Sequence, residues 1–447
     1  MYTKVKGTYD LSPEESKRMA AIESFIAQVV TIFGYEELRV PILASSDLIH
    51  RSSGDSSDIV TKETYDFKDR GDRLISLRPE GTAPIIRSII ENKYYTRHLP
   101  LKYFYVGDMF RYERPQKGRF REFRQFGVEC IGSKDPFMDA EVILMATEIF
   151  EAFDISNIKV RINTLGDNDS RAKYRDALKE YFSKFKDELS SDSKTRLEVN
   201  PLRILDSKDE KDQEIVKGAP RIKDYLSDES LSNFERVLEY LKELEVNYVV
   251  DERLVRGLDY YTDTIFEIEM DTDNKVGQSQ TICAGGRYDN LVKDLGGPDI
   301  PSIGFAFGLE RLMAIIEEDD EDTFEKNTIV QFIPLGDDAK LNLSRLMRDT
   351  RKEGIVSEMD YDAKNLKQHF KSAEANNAAF IVIQGENELK TSTIQVKNKL
   401  FNIDTTMTEK ELIDYVINQL GKYHHEKHHK DGCDCESDGE CSCDREA

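Results

Sequence analysis

Apolar positions recur every three or four residues at Met19, Ile22, Ile26, Val29 and Phe33, a stripe that predicts one amphipathic helix over residues 13–33. Its start is specified locally: Ser12 offers an N-cap hydroxyl, Pro13 occupies the first turn, where no N–H is missed, and Glu15 completes a capping box. After Gly34 the period shortens. Residues 37–43 (ELRVPIL) read as an extended segment that Pro41 confines to the edge or end of a sheet, and this edge beside a hydrophobic helix is a candidate subunit contact. Residues 78–82 (RPEGT) form a turn into a helix, and residues 101–106 a strand.

Alternation is clearest between Met109 and Glu129, where two short antiparallel strands joined by a polar loop are expected. On the returning strand Gln125, Gly127 and Glu129 share one face while Phe126 and Val128 pack behind it. Gly127 then leaves the backbone bare where a ligand can approach. The loop, residues 114–120, carries three cations and no apolar side chain before Phe120. Two readings are open: a solvated hairpin with surface arginines, or a floor for a phosphate-rich substrate.

Residues 158–165 are strand-like, and residues 167–243 then become rich in Lys, Asp, Glu and Ser with helical periodicity, which predicts a helical insertion. Strand character returns at 247–250, 256–268, 280–288 and 303–311, so one sheet is interrupted and resumed within a first domain of residues 1–325. Acidic residues 317–325 read as a linker. Beyond it, strands at 328–334, 355–359, 378–384 and 391–396 alternate with helices at 341–351 and 366–375, which predicts a small α/β domain over 327–420. Residues 421–447 are polar and expected to be disordered.

A chain of 447 residues is long enough for two or three domains with proper cores. No run of eighteen apolar residues and no signal-peptide core is present, so a soluble, cytoplasmic protein without membrane contact is expected. The net charge of −23 leaves nucleic-acid binding to local basic patches. Cys130 and Cys283 lie alone in apolar strands, as buried reduced thiols do. GxxxxGK[ST], strand-linked GxGxxG, HExxH and a CxxC pair are all missing from residues 1–420. What recurs is arginine near glycine, at Arg111, Arg119, Arg256, Arg287 and Arg311. Fork-shaped, permanently charged groups delivered to one sheet suit a polyphosphate.

The hairpin opening at residues 110–113 (FRYE) resembles motif 2 of the class II aminoacyl-tRNA synthetases, residues 304–311 (GFAFGLER) resemble motif 3, and the first helix with residues 35–43 resembles motif 1. Residues 254–261 (LVRGLDYY) and 284–288 (AGGRY) are similar to the two signatures of the histidyl-tRNA synthetase family, and residues 6–10 (KGTYD) and 77–82 (LRPEGT) fit the same family. The resemblance implies an α+β catalytic domain with an antiparallel sheet, a helical insertion and a C-terminal α/β anticodon-binding domain. It implies ligation of histidine to tRNA(His) through a histidyl-adenylate, with ATP and Mg²⁺, by a homodimer.

Carried over residue by residue, it places Arg111, Glu113, Arg119 and Arg311 on ATP and Arg256 between the histidine carboxylate and the α-phosphate. Glu80, Thr82 and Gln125 would receive the α-amino group, and Glu129 and Tyr261, with Tyr288 nearby, the imidazole. Gln116 and Arg121, with the rest of the basic loop, would meet the tRNA acceptor end. Of Tyr260 and Tyr261, adjacent on a strand, one would face the ligand and the other the core. Glu310 is open to a simpler reading as a helix-start carboxylate. The rival within the fold is a non-catalytic paralogue that regulates histidine biosynthesis, and a ligase for another amino acid is a second.

The tail falls outside the resemblance. His424, His425, His428, His429, Cys433, Cys435, Cys441 and Cys443 form HH and CxC units among acids. Soft-metal binding by Zn²⁺, Ni²⁺ or Cu⁺ and an unselected polar extension are both open readings.

Overall fold

The computed structural model describes residues 2–53, 62–116, 118–270, 281–316, 329–361 and 365–430, the side chains of 424 and 426–430 excepted. The chain divides into two compact units, Met1–Phe324 and Glu325–Ala447. In the first, α1 (Pro13–Ile32) begins with the expected capping box: the Glu15 N–H donates to Ser12 Oγ (3.2 Å) and the Ser12 N–H to Glu15 Oε2 (2.7 Å). Instead of one extended segment over 37–43 there are two short strands, β1 (Glu36–Glu37) and β2 (Leu43–Ser45), in different sheets. Pro41 lies between them, where its missing N–H would break a ladder. After α2 (Ser46–Ser53) come β3 (Tyr65–Lys68) and β4 (Leu74–Leu77), which with β2 make a small antiparallel sheet in the order β2-β4-β3.

The main sheet, which has β1 at one edge, continues after α3 (Thr82–Glu91). It contains β5 (Leu101–Phe110) and β6 (Glu122–Ile131), then, after α4 (Pro136–Glu151), β7 (Ile158–Thr164). Helices α5 (Asn168–Ser183), α6 (Ser191–Val199), α7 (Glu210–Val216) and α8 (Asp228–Glu243) intervene. The sheet resumes with β8 (Tyr248–Val250), β9 (Thr262–Met270), β10 (Thr281–Arg287) and, past α9 (Leu291–Asp294), β11 (Ser302–Gly308), which leads into α10 (Leu309–Ile315). The order is β1-β5-β6-β11-β10-β9-β7-β8, antiparallel except at both edges.

On one face, Phe126 and Val128 of β6 join Met19, Ile22 and Ile26 of α1 and Val142, Met145 and Ile149 of α4 in the larger core. The insertion has its own core around Tyr174, Leu178, Phe182 and Leu202, but α8 sends Phe234, Val237 and Leu241 into the main core. So α8, expected within the insertion, packs as a helix of the sheet domain. Both strands of the hairpin are ten residues long. Arg111 and Tyr112, expected on the outgoing strand, therefore belong to the loop, which the Arg111 N–H closes on the Arg121 carbonyl (2.8 Å).

The second unit comprises β12 (Ile329–Pro334), α11 (Asp337–Lys352), β13 (Val356–Met359), α12 (Leu366–Ala375), β14 (Phe380–Gln384), α13 (Glu386–Thr391), β15 (Thr393–Asn398), β16 (Ile403–Thr408) and α14 (Leu412–Lys430). Its sheet runs β13-β12-β14-β15-β16 over a core that includes Val330, Phe332, Leu343, Val382 and Val396. Strand β16 has no counterpart in the sequence reading because, as a mostly exposed edge strand (IDTTMT), it lacks the apolar alternation that marks a strand. Helix α14 extends through residues 421–430, where disorder was expected. Adding a residue to a formed helix costs far less than nucleating one. Cys433, Cys435, Cys441 and Cys443 lie outside the described residues, as do the side chains of His424, His428 and His429. Among the described residues no helix is long and apolar enough to cross a membrane.

Candidate functional site

A cavity of about 720 Å³ opens on the face of the main sheet away from α1 and α4. Its wall is assembled from segments far apart in sequence: Glu80 and Thr82 at the start of α3, Arg111, Glu113 and Arg119 of the hairpin loop, Gln125 of β6, Arg256, Tyr260 and Tyr261 before β9, Tyr288 after β10, and Arg311 of α10. Glu129 lies beneath them, 1 % exposed.

Each arginine is braced. Arg111 donates through Nε to the Pro79 carbonyl (2.8 Å) and lies over the Phe123 ring at 5.2 Å. Glu113 stands between Arg111 (3.8 Å) and Arg119 (3.5 Å) and keeps two like charges in one loop. Arg311 donates to the Thr281 carbonyl. Arg256 pairs with Glu267 through Nη1, sits 5.5 Å from the Tyr261 ring centre, and leaves its buried Nε without a hydrogen-bond partner. Gln125 Oε1 is likewise buried and unpaired. A donor and an acceptor left open in one wall fit a ligand that carries both kinds of group.

The carboxylates differ in their surroundings. Glu80 accepts the N–H groups of Thr82 (2.7 Å) and Ala83 (2.9 Å), so it caps α3, and burial raises its pKa. Burial pushes Glu129 up to about 8, although the Tyr288 hydroxyl donates to it and favours the charged form, while Glu80 nearby opposes ionisation. Gly304 makes room for this carboxylate: a β-carbon there would stand 2.2 Å from Glu129 Oε2.

Several expectations need correction. Arg287 does not reach the cavity wall. It is a buried structural cation, paired with Asp139, bonded at 3.2 Å to Asp289 and at 2.9 Å to the Ser133 carbonyl, so one of the five arginines assigned to a polyphosphate is held inside the fold. Arg287→Met strands Asp139 and is expected to cost about 3–5 kcal/mol of stability with the KM for ATP unchanged, measured by urea unfolding followed by circular dichroism beside steady-state kinetics.

Gly127 is not bare. Tyr105, directly opposite it across the hairpin, lies over it, and a β-carbon on Gly127 would come 2.4 Å from the ring. The same ring crowds Gly81, where a β-carbon would stand 2.2 Å from it. The glycine accommodates a tyrosine rather than a ligand. Gly127→Val should therefore lose about 1–3 kcal/mol of stability by overpacking before any specific loss of ligand affinity. A normal denaturation midpoint with weakened histidine binding would restore the earlier reading.

Tyr260 and Tyr261 precede β9 instead of alternating on it, and both line the cavity, their rings 4.7 Å apart. Gln116 and Arg121 are not in the wall: Gln116 pairs with Arg119 across the loop tip, and Arg121 stacks 3.8 Å over Tyr112 while its N–H reaches the Gly7 carbonyl (2.8 Å). Glu310 does more than start a helix. It receives the Tyr9 hydroxyl and the Arg124 N–H (2.6 Å), which ties the amino-terminal segment to β6.

Sequence reasoning missed Tyr105 and Glu267, both in the wall. For Glu267 a signal existed: Glu267 and Glu269 interrupt the apolar second half of β9, residues 265–270 (IFEIEM), two residues apart, hence on one face. Among the described residues no three His, Cys, Asp or Glu side chains converge as a metal site.

Comparison with known proteins identifies the family. The family model described as histidyl-tRNA synthetase matches residues 7–312, and one described as anticodon binding domain matches residues 330–419. The chain is 46 % identical over 399 residues to histidine–tRNA ligase of Limosilactobacillus fermentum, covering 89 % of this chain and 93 % of that protein. It is 45 % identical over 416 residues to that of Staphylococcus haemolyticus, covering 92 % and 97 %. The crystal structure of apo S. aureus histidyl-tRNA synthetase superposes with a TM-score of 0.79 at 38 % identity, covering 93 % of this chain and 99 % of that one. With its two units matched in order over most of its length, the chain belongs to the histidyl-tRNA synthetase family.

Proposed function

We propose that the protein ligates histidine to tRNA(His) in two steps, first activating the amino acid with ATP as histidyl-adenylate and then transferring it to the terminal adenosine. The observation that carries this reading is one cavity in which Arg111, Arg119, Arg256 and Arg311 converge on a wall holding Gln125, Glu80 and the tyrosines over Glu129. Arg111 takes the α-phosphate and Glu113 the adenine side, and Arg119 and Arg311 take the β- and γ-phosphates. Arg256 bridges the histidine carboxylate and the α-phosphate, where it stabilises charge as the carboxylate attacks and pyrophosphate leaves. The carboxylate is already ionised at neutral pH, so no protein base is needed.

Glu80, Thr82 and Gln125 receive the α-amino group, and Tyr261, Tyr288 and Glu129 meet the imidazole. A ring with one donor and one acceptor is distinguished from isosteres because either group, left unpaired in a buried site, costs binding. The phosphates themselves would carry Mg²⁺, which helps neutralise their charge. The hairpin loop around Gln116 and Arg121 faces the acceptor end of tRNA, and the second unit reads the anticodon by its bases, since that unit is not notably basic. A homodimer joined along the α1–β2 edge is part of the same proposal, supported by exposed Ile32, Ile42 and Leu43.

The match of the second unit to an anticodon-binding model weighs against a non-catalytic regulatory paralogue. The test is histidine-dependent exchange of labelled pyrophosphate into ATP. Exchange with histidine and with no other amino acid is expected, and its absence would overturn the proposal.

A further inference from the structure

Arg256 and Arg311 stand at different places in the cavity wall, and one pair of residues touches the support of both. Glu267, in the middle of β9, pairs through Oε1 with Arg256 Nη1. Its other oxygen accepts the Thr281 hydroxyl at 3.0 Å and lies 4.0 Å from Arg161 Nη1. Thr281 begins β10, and its main-chain carbonyl is the acceptor for Arg311. The chain of contacts is Arg256 to Glu267, Glu267 to the Thr281 side chain, and the Thr281 backbone to Arg311. Arg161 does not compete for the carboxylate, because Asp251 and Glu269 (2.6 Å) already engage its guanidinium.

With Nη1 held by Glu267 and Nε unpaired, the guanidinium plane of Arg256 is set from its protein side. A long side chain with four rotatable bonds would otherwise have to be ordered at each turnover. We propose that Glu267 is a positioning residue of the activation step: it orients Arg256, and the Thr281 hydroxyl holds the carboxylate in place to do so. The inference rests on the role given to Arg256 above. Glu267 makes no bond to the reacting atoms and acts only through the arginine.

The test is pyrophosphate exchange by the full-length protein and by Glu267→Ala, Glu267→Gln, Thr281→Val, Arg256→Ala and the double variant Arg256→Ala/Glu267→Ala. Loss of orientation is expected to lower kcat about 10²-fold in Glu267→Ala, with the KM for histidine nearly unchanged. Glu267→Gln keeps an acceptor for Nη1 and should lose about tenfold, and Thr281→Val should lose a few-fold. The double variant should be no slower than Arg256→Ala alone, because the carboxylate has nothing left to orient.

Should Glu267→Ala fold poorly, Glu267→Gln and Thr281→Val still read the same kcat change. A kcat equal to the parent's in Glu267→Ala or, failing that, in Glu267→Gln would overturn the proposal, as would multiplicative losses in the double variant. Full activity of Arg256→Ala would instead remove the role of Arg256, a distinct failure visible in the same experiment.

Discussion

Replacing Arg256 with alanine is expected to lower kcat for pyrophosphate exchange by about 10²–10³-fold, the usual cost of deleting one donor preorganised for developing charge. The arginine is confined before the substrate arrives: Glu267 holds Nη1, the Tyr261 ring lies beside it, and its Nε is buried without a partner. A group fixed in that way contributes little reorganisation cost at the transition state, so kcat should fall more than the KM for histidine rises. Arg256→Lys should recover little, since an ammonium cannot keep the bond to Glu267 and present a second planar donor at the same time. Steady-state exchange rates at saturating histidine and ATP check this. Rates close to the parent's in both variants would remove Arg256 from the reaction.

The second large effect belongs to Glu129, whose consequences for stability and for binding run in opposite directions. Its folded pKa of about 8 lies above the ordinary 4.5, so the folded chain holds this proton more tightly than the unfolded one. The stability that follows is complete below about pH 4.5 and is lost as pH rises through 8, where folding must carry a buried charge. Glu129→Gln copies the neutral carboxyl in size but cannot ionise. It should melt at the parent's temperature near pH 5 and above it near pH 8.5, by circular dichroism without substrate.

The same change should raise the KM for histidine roughly 10²-fold, because the ring loses an acceptor that can become charged in a buried site. For the parent that KM should fall as pH rises toward 8, and in Glu129→Gln the slope should flatten. An identical melting difference at both pH values would show that the carboxyl is not held neutral, and an unchanged KM would show that it does not meet the ring. Tyr288, which donates to this carboxyl, should share the effect on binding when replaced by phenylalanine, though more weakly.

Much of the fold was legible because its signals are local. The α1 start is written in Ser12, Pro13 and Glu15, and the two faces of β6 in its alternation, with Phe126 and Val128 in the core as expected. Most cavity residues were also legible, through short strings that match a known family. The failures have a common form. The loop was drawn too short because Arg111 and Tyr112 continue the alternation after the strand has ended. Arg287 looked like its fellow arginines beside glycine, and only Asp139, 148 positions earlier, decides that it is buried and paired.

By itself the sequence determined most of the helices and strands and the interruption of the first domain by an insertion, which follow from periodicity, caps and residue types close together in the chain, and it indicated the kind of chemistry through strings that resemble a known family. Tertiary structure alone decided which groups meet. Gly127 became the seat of Tyr105 because the register of β5 and β6 sets them opposite each other. The pKa of Glu129 is raised because the fold buries it and brings Glu80, from another element, near it, against the Tyr288 hydroxyl that favours its charged form. Arg256 gained an orienting carboxylate because the chain before β9 turns back to reach Glu267. Contacts between residues far apart in sequence depend on closing long loops in one register; the hydrophobic period fixes which face of a strand a residue takes, but not which distant residue it meets.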